Sequence, residues 1–131
     1  MSTSSPAADD GGCGLILDKI DFLLKIQHLA DGVDQVEPLL EDLADQIDGG
    51  GERCRPAVRA RFFTLMQDID PWSLEVLQYC MYGLRWQEVL DHAEILIRHE
   101  KGVNRRRLYE RLIESFDDGW PEREFFRRYS G

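Results

Sequence analysis

The sequence predicts an all-α fold, a compact single-domain bundle of about six to seven short antiparallel helices. Apolar residues recur at helical spacing along most of the chain. No stretch shows the period-two alternation of a half-buried strand. Between the periodic segments lie short Gly, Pro and Asp punctuations, the signature of closely connected helices. A length of 131 residues and 43% hydrophobic content suit one domain with a real core.

Residues 1–14 lack periodicity and are expected to form a disordered tail ahead of a domain spanning 15–131. A first helix is expected from about Leu15 to Ala30, with Ile16, Ile20, Leu23, Leu24 and Ile26 inward and Asp31-Gly32 as its stop. The second carries Val36, Leu39, Leu40, Leu43, Ala44 and Ile47 on one face. Asp34 is placed to cap it, with Glu37 in the capping-box position and Pro38 tolerated in the first turn. Gly49-Gly50-Gly51 predicts a flexible connector over 48–55, after which Pro56 opens a third helix with Val58, Phe62, Leu65, Met66 and Ile69 inward.

Asp70-Pro71 predicts a fresh start, an N-cap followed by proline at the first helical position. Gly83 is expected to take the left-handed position at the end of that helix. A fifth helix presents Trp86, Val89, Leu90, Ala93, Leu96 and Ile97, and a sixth is capped by Asn104 and closed by Asp118-Gly119. A short seventh opens at Pro121, with Phe125, Phe126 and Tyr129 expected to dock on the core.

The net charge of −9 is unevenly spread. Residues 1–52 hold nine Asp and three Glu against two Lys, a net of −10, and the remainder is close to neutral and Arg-rich. Acidity of this kind argues against nonspecific nucleic-acid binding, which depends on neutralising phosphates. The longest uncharged apolar stretch, Val76 to Leu84, is far too short to span a bilayer. Nor does a basic segment precede Leu15–Leu17 as a signal peptide would require.

The sharpest feature is an acidic stripe on the second helix. Asp34, Glu37, Glu41, Asp45 and Asp48 step by three, four, four and three residues, with no Lys or Arg interspersed at i+4. Like charges at that spacing destabilise a helix slightly, so a stripe of them suggests a surface that attracts a basic protein partner. Arg105, Arg106 and Arg107 open the sixth helix, where cations oppose the dipole. They are a candidate anion-binding site, set against internal pairing with Glu100, Glu110 or the acidic stripe. Cys13, Cys54 and Cys80 are odd in number, widely separated and without a CxxC motif, a usage that fits a reducing cytoplasm. Cys80 belongs on an apolar face.

His92 and His99 lie two turns apart, roughly 10 Å along a helix, too far to share one metal. No phosphate loop, nucleophile elbow or nucleophile–base pair is present. The expectation is therefore a non-enzymatic, cofactor-free, cytoplasmic binding module. In charge and class, though by no motif, it is similar to the small acidic immunity proteins with which bacteria block basic toxins. The alternative is a helical adaptor that uses its aromatic C-terminal helix.

Overall fold

The computed structural model describes residues 13–26, 33–126 and 129, with the side chains at positions 33–35, 122 and 125 excepted. Every regular element among them is helical: α1 (Cys13–Lys25), α2 (Val33–Gln67), α3 (Pro71–Leu84), α4 (Gln87–His99), α5 (Val103–Glu114) and a closing 3-10 helix (Pro121–Phe125). The all-α expectation holds; the helix count is five plus the 3-10 turn. The difference arises at the triple glycine, where helical hydrogen bonding runs through and only Gly51 departs from helical geometry. The expected connector over 48–55 thus shrinks to a one-residue kink. Gly51 has φ 58° and ψ −152°, a region essentially confined to glycine.

The first boundary moves as well. Cys13 and Gly14 belong to α1, so the expected tail shortens to 1–12, which lie outside the described residues together with the expected stop at Asp31-Gly32. α1 lies antiparallel to α2 and buries Cys13, Ile16, Ile20 and Leu23 against it. Three further links fix this pair. Cys13 and Cys54 form a disulfide, Lys19 pairs with Asp42 at 2.6 Å, and Arg61 pairs with Asp21. The cysteine reading did not anticipate the disulfide, because its partners are 41 residues apart. Gly50 permits it: a Cβ there would stand 3.0 Å from Cys54 Sγ and 3.2 Å from Ile16 Cδ1.

α3 starts as expected. The Asp70 side chain accepts from the Ser73 amide at 2.8 Å, and the Ser73 hydroxyl accepts from the Asp70 amide at 3.0 Å, a full capping box. Its end is displaced. The left-handed residue is Arg85 (φ 56°, ψ 44°) and not Gly83. Glycine at 83 is needed for a different reason, since a Cβ would meet the Tyr129 hydroxyl at 2.8 Å. That hydroxyl donates to the Tyr79 carbonyl at 2.7 Å and anchors the end of the chain. At α5 the expected cap also shifts, because Gly102, with no side-chain cap, precedes the helix and Asn104 lies inside it.

The core runs through all these elements, from Ile16 and Ile20 through Phe62, Met66, Leu74 and Leu77 to Leu112 and Trp120. Tyr79 lies at its C-terminal end, with the Phe126 ring edge-on at 4.9 Å and the Tyr129 ring at 5.0 Å. The docking expected for these aromatics is what the structure shows, except that Phe125 lies outside the described side chains.

Closing a loop of this length by a disulfide is worth about 4 kcal/mol in the chain-entropy model. Replacing both cysteines (Cys13→Ser with Cys54→Ser) is therefore expected to lower unfolding free energy by a few kcal/mol, as read from urea melts. Dithiothreitol should produce a comparable loss in the parent chain and none in the double variant.

Candidate functional site

The acidic stripe survives in part. The kink at Gly51 divides α2, and the half before it carries Glu37, Glu41, Asp45 and Asp48 on successive turns. Asp45 and Asp48 are exposed and Glu41 is half-buried. Glu37 is only 4% exposed and accepts a hydrogen bond from the Tyr79 hydroxyl at 3.4 Å, so it serves the interior and offers nothing to a partner. The reason is angular: Glu37 follows the buried Val36 and precedes Leu40 by one turn, and the α3 tyrosine reaches over it. The Asp34 side chain lies outside the described residues.

The face also holds an acid that the stripe omitted. Asp42 is exposed, and its hydrogen bond from Lys19 holds its carboxyl below the usual range. Glu52, beyond the kink, is exposed and meets Arg55 at 3.3 Å. Glu41 and Asp48 make no ion pair among the described residues. Asp48 lies in the last turn before the helix axis breaks at Gly51, the end at which a helix disfavours carboxylates, and Asp45 lies about one turn earlier.

The Arg105–Arg107 cluster does not form an open anion site. Arg105 donates to the Gln67 carbonyl at the end of α2 and stands 3.8 Å from Glu100. Arg106 donates to the Ile97 carbonyl at 2.8 Å and to the Glu100 carbonyl at 3.2 Å. Arg107 meets Glu110 at 3.5 Å and Glu114 at 3.8 Å. Cations that oppose the dipole of α5 thus sit at the negative ends of α2 and α4, where they are favourable. Of the pairings considered from sequence, Glu100 is met by Arg105 and Glu110 by Arg107.

Glu88 and His92, one turn apart on α4, have separate partners. Glu88 takes a two-pronged contact from Arg55, at 2.7 and 2.8 Å, with Arg59 at 3.5 Å. Arg55 in turn lies over the Trp86 ring, 4.7 Å from its centre. The Arg55 hydrogen bonds outweigh burial and hold the Glu88 carboxyl at about 2, against an ordinary 4.5. His92 stacks on Phe63 at 4.2 Å between ring centres, and burial pushes its pKa down. No three His, Cys, Asp or Glu among the described residues assemble into a metal-sized group. Cys80 is a free thiol packed wholly inside, on the apolar face where its spacing placed it.

The fold and surface define a class: a disulfide-linked all-α bundle with exposed carboxylates, Asp42, Asp45 and Asp48, on the first half of its longest helix. No protein-family model, curated protein or solved structure matches the chain. No described helix is long and apolar enough to cross a membrane.

A depressed folded pKa means that Glu88 stabilises the fold above its unfolded value and ceases to do so as pH falls through the folded one. Glu88→Gln should therefore cost about 1.5–3 kcal/mol at neutral pH. Between pH 4.5 and about 2 the parent should lose more stability than the variant, so their urea midpoints should converge on acidification.

Proposed function

We propose that the protein is a small acidic protein-binding module, an immunity-type inhibitor that covers a basic bacterial toxin or enzyme with the acidic face of α2. The observation that carries this reading is the placement of Asp45 and Asp48. Both carboxylates are exposed, and Asp48 stands in the last turn before the kink, where the helix end disfavours it. Asp45 also has a like charge one turn away, Glu41. Placements that weaken the isolated domain have a use when a cationic surface covers them, because complementary fields speed encounter and select the partner. No catalytic group is called on; the activity is occlusion. The adaptor alternative has less support, since Phe126 and Tyr129 are packed on Tyr79 and not presented outward.

The test uses the full chain as bait in extract of its native host, followed by affinity measurement with the partner recovered. The triple variant Glu41→Lys, Asp45→Lys and Asp48→Lys should weaken binding at least tenfold and flatten its salt dependence. Unchanged affinity and salt dependence would refute the role of the stripe.

Cytoplasmic residence, part of the same reading, now has an argument on each side. The absence of a membrane-length helix among the described residues is compatible with it. The Cys13–Cys54 pair is of a kind that persists in oxidising compartments. Acid-quenching intact cells and then alkylating the denatured protein decides between them. Three modified cysteines support the cytoplasm, and one alone rejects it.

A further inference from the structure

α1 is held by different chemistry at its two ends. Toward its C-terminus the Trp72 indole donates to the Leu23 carbonyl at 2.9 Å, Arg61 pairs with Asp21, and Lys19 pairs with Asp42 at 2.6 Å. At its N-terminus stands the Cys13–Cys54 disulfide. A thiol reductant leaves the first three links intact and can undo the fourth.

The pairings also locate that bond. Against the half of α2 after Gly51, α1 keeps a nearly constant offset, 41 residues at Cys13–Cys54 and 40 at Asp21–Arg61, so the two run parallel. Against the earlier half it runs antiparallel, with Leu15 and Gln46 lining one cleft and Lys19 meeting Asp42. α1 therefore lies in the notch between the halves of α2, and the disulfide sits at the closed end, beside Gly51.

The cleft at that end, about 360 Å³ in volume, is lined by Leu15, Gly49, Gly50 and Cys54 among others, and Cys13 is not part of its wall. Gly49 leaves it open, since a Cβ there would meet nothing within 4 Å. A thiolate entering the cleft thus comes to the Cys54 sulfur. Cys13 is the first residue of α1, where the helix amides favour an anion, so it is the better leaving group.

We propose that Cys13–Cys54 is a redox switch, opened through this cleft by a dithiol reductant, which releases the first turn of α1 from the Gly51 kink. In the first step a reductant thiolate bonds to Cys54 Sγ, the Sγ–Sγ bond breaks, and its electron pair leaves with Cys13. The reductant's second thiolate then attacks the reductant sulfur of the mixed disulfide, the electron pair leaves with Cys54, and the reductant departs as a disulfide. Two electrons pass from the dithiol to the protein, and its two protons end on Cys13 and Cys54.

Release follows because little else in that turn is buried. Gly14 and Leu15 are exposed, Leu17 is half-buried, and only Ile16 is packed inside. One buried side chain does not offset the entropy of ordering a terminal turn that contains glycine. Ile16 also covers Gly50, so its departure frees the glycines at the kink. Asp45 lines the same cleft and Asp48 precedes the kink, so the switch acts beside the acidic face without depending on its proposed role.

The first test reduces the full chain with dithiothreitol, removes the reductant and follows iodoacetamide labelling of each cysteine by peptide mass. Cys80, a free thiol packed inside, is the internal reference. Cys13 and Cys54 are expected to react at least a hundredfold faster than Cys80, at rates that urea below the unfolding transition does not change. Labelling of both as slow as that of Cys80 means that the turn stays docked and overturns the switch. Equal labelling of all three cysteines, at rates that rise with urea, reports global unfolding and overturns it too.

The second test incubates the oxidised chain with glutathione and iodoacetamide together, so that the released sulfur is capped as it forms. Glutathione is expected on Cys54 and the alkyl group on Cys13; the reverse or an even distribution overturns attack through the cleft. Gly49→Leu fills the cleft and should slow reduction by dithiothreitol at least tenfold while preserving the labelling pattern of the reduced chain. Circular dichroism establishes that the variant is folded, and an unchanged rate of reduction overturns the cleft as the route.

Discussion

Each α-helix ends with carbonyls that have no partner in their own turn, and in a bundle of short helices those ends make up a large share of the backbone. Here the last carbonyls of all five helices are met by side chains. The Trp72 indole donates to Leu23 at 2.9 Å at the end of α1. The Tyr109 hydroxyl donates to Met66 at 2.8 Å and Arg105 to Gln67 at the end of α2. Arg85 closes α3 through Tyr82 at 2.9 Å, and Arg106 closes α4 through Ile97. Gln78 reaches Arg111 at 2.9 Å near the end of α5. Most of these donors come from another element, so those caps are also tertiary links, and each of them requires the two elements to lie alongside.

The second constraint is the geometry at Gly51. A 35-residue helix would run straight past the rest of a domain this small, and the kink turns its halves into separate packing partners. α1 meets the earlier half through Lys19–Asp42 and the later half through Cys13–Cys54 and Arg61–Asp21, and Tyr79 of α3 reaches Glu37 in the earlier half. Cys54 follows the kink by three residues, so the disulfide ties α1 to the point where the axis changes direction. Gly50 and Gly51 therefore have different tasks in adjacent positions, the one giving room to sulfur and the other giving a backbone angle. Pro56 removes one further helical donor in the same region, which makes the tertiary links there more important.

The helices were legible because apolar period and cap chemistry are local. Asp70-Pro71 marks α3 without ambiguity, and Val36, Leu40, Leu43 and Ile47 are buried as their spacing requires. The errors lie where a distant residue decides. Three consecutive glycines are locally a break, yet packing of both flanking segments onto α1 and α3 carries the helix through two of them. Gly83 is locally a C-terminal glycine, yet Tyr129 takes the space beside it and Arg85 accepts the left-handed angle. Arg85 can do so because its guanidinium holds Tyr82 and Phe116 carbonyls and Asp118. Glu37 shared the period of the acidic stripe, but only the position of Tyr79 shows it to be an interior group. A signal for the disulfide was present only in retrospect, as a cysteine at the inward end of each partner helix face.

These constraints together explain why, in a chain with sixteen basic residues, Glu41 and Asp48 still make no ion pair among the described residues. Arg85, Arg105 and Arg106 are directed at carbonyls, which are neutral acceptors and leave carboxylates elsewhere unmatched. Arg55, Arg59 and Arg107 meet acids of the later half, Glu88, Glu110 and Glu114. The arginines that cap and cross-link the later half are thereby turned away from Glu41 and Asp48. Capping thus has an electrostatic consequence away from the caps: arginines held at helix ends are not available to Glu41 and Asp48. A basic partner would meet that charge on a surface already held rigid by the disulfide and the kink, so docking need not order the acids at the moment of contact.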